Sequence, residues 1–453
     1  MMRPEIEQLS ESCKQVFENC SDAIWATPEI NFTEHRSCAA SKKVMEDLGF
    51  GITWPVEDMD TAFIAEAGHG KPVIGILGEI DALPNLSQVA DQPVWEELEK
   101  GGNGHGCGHN LLGCGAMEAA YLLKQYLESH HMEGTVKYFC CPAEEGGVGK
   151  VFMINRGVFR DVDFTISWHP GTGFGLTHKC KSIYIINFRF HGKAAHAAGN
   201  PYMGRSALDA LELMNVGVQF LREHVEEGTF IHYAITDAGG RAANVVQSYA
   251  EASYVIRCND NTKLRETYRR VCLVAQGAAT MTETTLEEPE IVSAFSSQID
   301  NETLASVCRK NIKEVMPISY TEEELAYARQ FVAVGGKPES KEIIDQETIH
   351  EDRISSTDVA DVSWVTPLVY LNVPTLANGT PGHNWCVTAQ GKGPVAKKGM
   401  HIAARIMANT CIDLLDEPAL IEKAKEEFIK NLDGKTYEQE CLMPKTRKPT
   451  PIY

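Results

Sequence analysis

The sequence predicts an α/β protein: a large domain whose mostly parallel sheet is flanked by helices, interrupted by a smaller α+β domain of ferredoxin-like type. Three observations carry this. Nearly continuous apolar runs, such as KPVIGILGEID (71–81) and DVDFTISWHP (161–170), alternate with helical periodicity, as over 110–131. A strand that is apolar on both faces needs cover on both, which is the setting of a parallel sheet. The texture then changes at Ser182. SIYIINFRFHG alternates as a half-exposed strand does, and a helix over 204–226, strands over 229–236 and 250–257, a helix over 261–280 and a last strand near 284–289 follow. That order is the ferredoxin-like one. From about Asp300 the first pattern resumes, through PLVYLNVP (367–374) and a helix over 395–415. The expected division is therefore 1–181, 182–297 and 298–453, the middle segment being the insertion. The polar, Gly/Pro/Lys-rich stretch 334–356 is expected as an insertion loop, and the tail beyond Leu432 as extended chain.

Composition narrows the function. The 453 residues are 43% hydrophobic and 23% charged, enough for a large core, and the net charge is −20. That charge argues against nucleic acid or an anionic membrane as main partner, while a local arginine still permits an acidic substrate. No apolar run is long enough for a membrane span, and the start of the chain lacks the pattern of a signal peptide. Fourteen scattered cysteines are then expected as free thiols in a reducing, cytoplasmic setting.

Chemistry-bearing residues follow the apolar strands. Glu79 and Asp81 end the first, Glu144 and Glu145 follow the second, and His169 ends the third. In a parallel sheet these ends share one edge, and ligands bind there. GNGHGCGHNLLGCG (102–115) sets His105, Cys107 and His109 among glycines at the opening of a helix, and His383 lies in the Gly/Pro loop NGTPGHNW. A lone histidine is more often structural, and a lone Glu-Glu pair more often a solvated surface. Together at strand ends they indicate a metal site, with thiolate, imidazole and carboxylate suited to zinc and the harder donors to manganese. Adjacent glutamates on an extended loop point apart, so one can bind metal while the other acts as general base. A dinucleotide loop fails for want of G-x-G-x-x-G spacing, and a phosphate loop, G-x-S-x-G and C-x-x-C are absent. His105 reads as a solvated loop histidine.

DALP (81–84), GHGCGHN (104–110), PAEEGG (142–147), HP (169–170), GKAAHAA (192–198) and PGH (381–383) occur in that order, over nearly the whole chain. The set resembles the aminoacylase and carboxypeptidase-type metallopeptidases, in the amidohydrolase branch with a Cys-Gly-His motif. The resemblance implies two divalent ions, zinc or manganese, held by Cys107, His109, Glu145, His169 and His383. It implies Glu144 as the base acting on a metal-activated water, with Asp81 behind the ligands; a direct ligand role for Asp81 or Glu79 stays open. Other branches carry a histidine ligand where this chain has Glu79. The inserted domain is implied to be a lid and dimerisation domain. There His196 would reach the partner subunit's site to stabilise the oxyanion, and Asn244 and Arg257 would hold the substrate carboxylate. The implied reaction is hydrolysis of an amide to an amino acid, such as the N-acyl-glutamate p-aminobenzoyl-glutamate, another N-acyl amino acid or a dipeptide. The implied assembly is a homodimer or a complex with a related A-type subunit, and a non-catalytic partner subunit is the alternative to an enzyme.

Overall fold

The structure is a computed structural model that describes residues 3–335, 342–351 and 354–451. The strands in chain order are β1 (Gly51–Thr53), β2 (Phe63–His69), β3 (Val73–Glu79), β4 (Gly134–Cys141), β5 (Phe164–Gly171), β6 (Gly173–Leu176), β7 (Lys179–Cys180), β8 (Ser182–His191), β9 (Phe230–Asp237), β10 (Tyr249–Cys258), β11 (Thr285–Leu286), β12 (Glu290–Phe295), β13 (Asp345–His350), β14 (Ile354–Ser355) and β15 (Leu368–Pro374). The chain divides into two compact units. One comprises Met1–Lys179, Ile299–Tyr437 and Lys448–Tyr453; the other comprises Cys180–Gln298 and Glu438–Arg447.

The first unit is built on an eight-stranded sheet of order β1-β2-β4-β3-β5-β15-β6-β13. Its centre, β4-β3-β5-β15, is parallel. Towards the edges β2 pairs antiparallel with β4, β1 with β2, and β6 with β15. The sheet is therefore mixed, and its parallel centre is made of the strands the sequence shows as continuous apolar runs. Those strands are the ones covered on both faces: β3 and β15 are buried along their whole length. Helix His109–His130 packs on β3 and against helices Pro4–Trp25 and Pro394–Asp416, and the apolar faces of all three enter one core with Ile166 and Trp168.

The stretch 334–356, expected as an insertion loop, contains regular structure. Helix Glu322–Val334 enters it, and β13 runs parallel to β6 with Ile349 beside Phe174; residues 336–341 and 352–353 lie outside the described residues. DQETIH carries no apolar strand signal because it is polar, as suits the edge of a sheet. The tail is not simply extended: Tyr437–Glu440 forms a helical turn.

The second unit is an antiparallel sheet of order β11-β8-β10-β9, with β12 also on β8. With helices Ala207–Leu221 and Asn261–Thr282 this is the ferredoxin-like arrangement. Both helices start where the sequence offers a cap. The Ser206 side chain accepts from the Asp209 N–H and Asp260 from Lys263. The last strand is split into β11 and β12 around Pro289, which has no N–H to give the ladder. The segment Glu438–Arg447 joins this unit, where Arg265 Nη1 meets Glu440 Oε2 at 2.8 Å. All fourteen cysteines are free, and among the described residues no helix is long and apolar enough to cross a membrane.

Candidate metal centre

The glycine-rich loop turns into its helix through Gly108, whose φ of +80° lies in the left-handed region that side chains avoid. The helix start then sits hard against the end of β3: a Cβ on Gly113 would lie 2.6 Å from the Glu79 carbonyl oxygen. This close approach aims Cys107 and His109 at the strand ends.

His109 is fully buried and fixed from behind. Its Nδ1 donates to Asp81 Oδ1 at 2.9 Å, while Asp81 Oδ2 accepts the Glu145 N–H at 2.8 Å. Both oxygens of Asp81 are thus engaged, and Nε2 is the free edge of the imidazole. A carboxylate behind a ligand histidine sets its tautomer and strengthens it as a donor. His169, on β5, is fixed in the same way by Pro170: Nδ1 lies 2.7 Å from that carbonyl and Nε2 lies 3.3 Å from Cys107 Sγ. The two rings meet edge to face at 5.8 Å. From the other side His383, at φ +50° in its loop and 59% exposed, brings Nε2 to 3.3 Å from Glu145 Oε1.

Three sets of donor atoms each lie within 4.8 Å of one another: Cys107, His109 and His169; Cys107, Glu145 and His383; and Glu79, His109 and Glu144. Cys107 and His109 each belong to two sets. The donors are of the types that hold zinc or manganese. Among the buried atoms without a hydrogen-bond partner are His109 Nε2 and Glu79 Oε2. These residues fit a pair of divalent ions.

The charges agree. Burial pushes the Cys107 thiol up, but the His169 and His109 imidazoles outweigh it and hold the thiol well below its usual range. Burial works against a charged His109, and Cys107 and Asp81 overcome it, raising its pKa well above the ordinary value. His383 is raised to about 11 by Cys107 and Glu145. Glu145 is raised to about 7 by burial and by the Cys107 charge. Protons on the imidazoles balance the anions, and cations can replace those protons. Glu144 is raised well above the carboxylate range, by burial first and then by Glu79 and Glu145. An upward shift is the direction in which a carboxyl is tuned for acid–base work.

His196 and Asn244 belong to the second unit. Both are exposed, and their loops are tied together: His196 bridges to Val245, and the Ala197 N–H donates to the Asn244 carbonyl at 3.0 Å. His196 Nδ1 accepts N–H groups from Ala198 and Gly199, both at 3.1 Å, so the neutral ring carries its proton on Nε2. Arg257 is elsewhere. It pairs with Ile183 and Phe230, eight positions along β10 from Tyr249, at the end remote from Asn244. At roughly 3.3 Å per residue that is about 26 Å, so the unit does not bring Asn244 and Arg257 to one carboxylate.

His105 is corrected. It is 1% exposed, its Nε2 lies 3.1 Å from the Ile24 carbonyl oxygen, and burial lowers its pKa to about 4. A glycine-rich context suggested an open loop, but the loop is packed under the helix Pro4–Trp25. Three further buried groups carry no signal in the sequence. Buried Glu34 accepts the Ala143 N–H at 2.9 Å, clamping a residue at φ +54° just before Glu144. Lys150 and Asp358 form a fully buried pair at 2.6 Å. Lone charged residues read as surface, and only packing shows them inside.

Residues 75–355 match the peptidase family M20/M25/M40. The chain is 39% identical over 476 residues to the B-type subunit of the p-aminobenzoyl-glutamate hydrolase of Escherichia coli K12, covering 99% of this chain and 98% of that protein. It is 28% identical over 442 residues to the Xaa-Arg dipeptidase of Mus musculus, covering 94% and 92%. The crystal structure of a dinuclear metal-binding M20 peptidase from Bacillus subtilis superposes with a TM-score of 0.60 at 19% identity, covering 90% of this chain and 99% of that one. With its α/β fold and its donor cluster at the sheet edge, this chain is a metallohydrolase of the M20/M25/M40 peptidase family.

Proposed function

We propose that the protein hydrolyses the amide bond of an N-acyl-glutamate, p-aminobenzoyl-glutamate being the substrate of first choice. Cys107, His109, His169, Glu145 and His383 hold two divalent ions, zinc or manganese. The observation that carries this reading is Cys107, shared by two donor sets whose other members come from four separate chain segments. The acyl-glutamate choice rests on the 39% identity to a protein of that name over its whole length. Ions at this site supply polarisation of the amide carbonyl and a lowered pKa for water. Glu144 takes the proton from the attacking water and delivers it to the amide nitrogen as the C–N bond breaks. Asp81 keeps His109 in the tautomer that leaves Nε2 free, and Glu34 keeps the Glu144 loop in its turn.

His196 Nε2–H is a donor suited to the oxyanion of the tetrahedral intermediate, and Asn244 beside it is suited to the substrate carboxylate. Arg257 is left out of that patch, and its part in binding the carboxylate would require a different subunit's surface. Strand β9 is the edge of its sheet and exposes Phe230, Tyr233 and Ile235. An apolar open edge of this kind is covered by a second copy or by a related A-type subunit, and His196 of the partner subunit then serves this chain's ions. Fourteen free thiols suit a cytoplasmic setting.

The purified chain, incubated with p-aminobenzoyl-glutamate and manganese or zinc, releases glutamate. Chelator and Glu144→Gln abolish the release. The second reading is dipeptide hydrolysis, favoured by the likeness to the Xaa-Arg dipeptidase. Release from Xaa-Arg dipeptides but not from acyl-glutamates replaces the first reading by the second. Two bound ions without turnover of either class favour a non-catalytic partner subunit.

A further inference from the structure

Lys150 is fully buried, yet only the Asp358 carboxylate is needed to neutralise it. Asp358 accepts from Nζ at 2.6 Å and from the Lys150 backbone N–H at 2.9 Å. Glu79 Oε1 also lies 2.6 Å from the same Nζ. The three groups are each no more than 1% exposed, and two carboxyl groups share one ammonium. An uncompensated charge in so dry a place is costly. Compensation is at hand on the side that Glu79 Oε2 faces. There its Oε2 lies 3.4 Å from His109 Nε2, and neither atom has a hydrogen-bond partner. His109 Nε2 is the edge turned towards Cys107 and His169, and Glu79 shares a donor set with His109 and Glu144.

We propose that Glu79 is an oxygen ligand of the ion on the Nε2 edge of His109, and that Lys150, anchored by Asp358, is the positioning residue that holds it there. The inference rests on the two-ion reading above. It adds a carboxylate to an otherwise Cys/His set, and it explains why a cation is buried behind the end of β3. Lys150 touches no ion and no substrate. It fixes one oxygen of Glu79 so that the other can face forward, as a carboxylate behind a histidine fixes its ring.

The test is equilibrium binding of manganese and of zinc by chelator competition, on the full chain, with no substrate present. Glu79→Gln leaves the neutral Lys150–Asp358 pair intact and keeps the side-chain volume, so it is the variant on which the proposal stands. One of the two binding constants is expected to weaken by about 10- to 100-fold, with the other unchanged within about twofold. In Lys150→Met the same constant weakens, and the double variant is no weaker than the weaker single one, because both act through one carboxylate. The d–d spectrum of the cobalt-substituted protein shifts in both variants. Two ions bound by Glu79→Gln with both constants and the spectrum unchanged overturn the proposal alone. Losses that multiply in the double variant overturn the positioning role of Lys150. A wild-type chain that binds no ion overturns the two-ion reading, and this inference with it.

Discussion

The two regions that the proposed reaction draws on are built in opposite ways. In the first unit the donors are set by packing: His109 opens a helix pressed onto β3, His169 lies within β5, and each ring is pinned through Nδ1. In the second unit His196 and Asn244 sit exposed on loops and are held by backbone hydrogen bonds. The difference teaches which groups folding supplies by itself. Donors that must converge at short range within a few tenths of an ångström belong on rigid elements. Groups that meet the substrate only during turnover can be presented from a surface. His383, exposed on its Gly/Pro loop but in reach of Glu145, is the one donor of the first region made in the manner of the second.

The comparison is broken most severely by removing the base. Glu144→Gln is expected to lower kcat by about 10²- to 10⁴-fold, with both ions still bound, as metal analysis of the purified variant would show. A loss of metal in parallel with activity would move Glu144 from base to ligand. The next largest effect comes from the other region. His196→Ala is expected to lower kcat by about 10²- to 10³-fold, the value of one oxyanion donor, and to leave metal content untouched. If mixing inactive His196→Ala with inactive Glu144→Gln restores activity, the two groups act across an interface between two chains; no recovery in a stable mixed dimer assigns both to one chain.

Much of the buried region was legible in the sequence. The strand-end placement of Asp81, Glu145 and His169 follows from apolar runs stopping at polar residues, and the helix start at His109 from glycines preceding helical periodicity. The second unit's order was legible because its strands alternate and its helices are capped. What could not be read was pairing across long sequence gaps. Lys150 and Asp358 are 208 residues apart, Glu34 and Ala143 are 109 apart, and the antiparallel flanks of the large sheet depend on which strand lies beside which. The end of β10 at which Arg257 lies was likewise a matter of register.

A smaller effect sharpens the contrast within the buried region. Asp81→Asn keeps the shape of the carboxylate but puts an amide behind His109, so that Nδ1 loses a charged acceptor. Metal affinity is expected to fall by about 10- to 100-fold, with kcat at saturating metal nearly preserved. His383→Ala removes a donor from the exposed side, and its effect on affinity is expected to fall on one ion only. Equal losses from both variants at both ions would mean that the pinned and the exposed donors are not energetically distinct.

The smallest expected effect concerns stability, at His105 under the metal loop. Burial lowers its pKa from 6.5 to about 4, so the unfolded chain binds a proton there before the folded one does. Stability from this group is full above about pH 6.5, falls as the pH drops towards about 4, and is flat below that. The slope in that window is at most ~1.4 kcal/mol per pH unit. His105→Gln keeps a donor for the Ile24 carbonyl but cannot titrate. Denaturant melts of the metal-free protein between pH 4 and 6.5 should therefore show a shallower acid decline in the variant than in the wild type, with the two slopes equal at pH 8. Equal slopes across the acid window would place His105 in contact with water, and the loop would then be open on the side where the structure closes it.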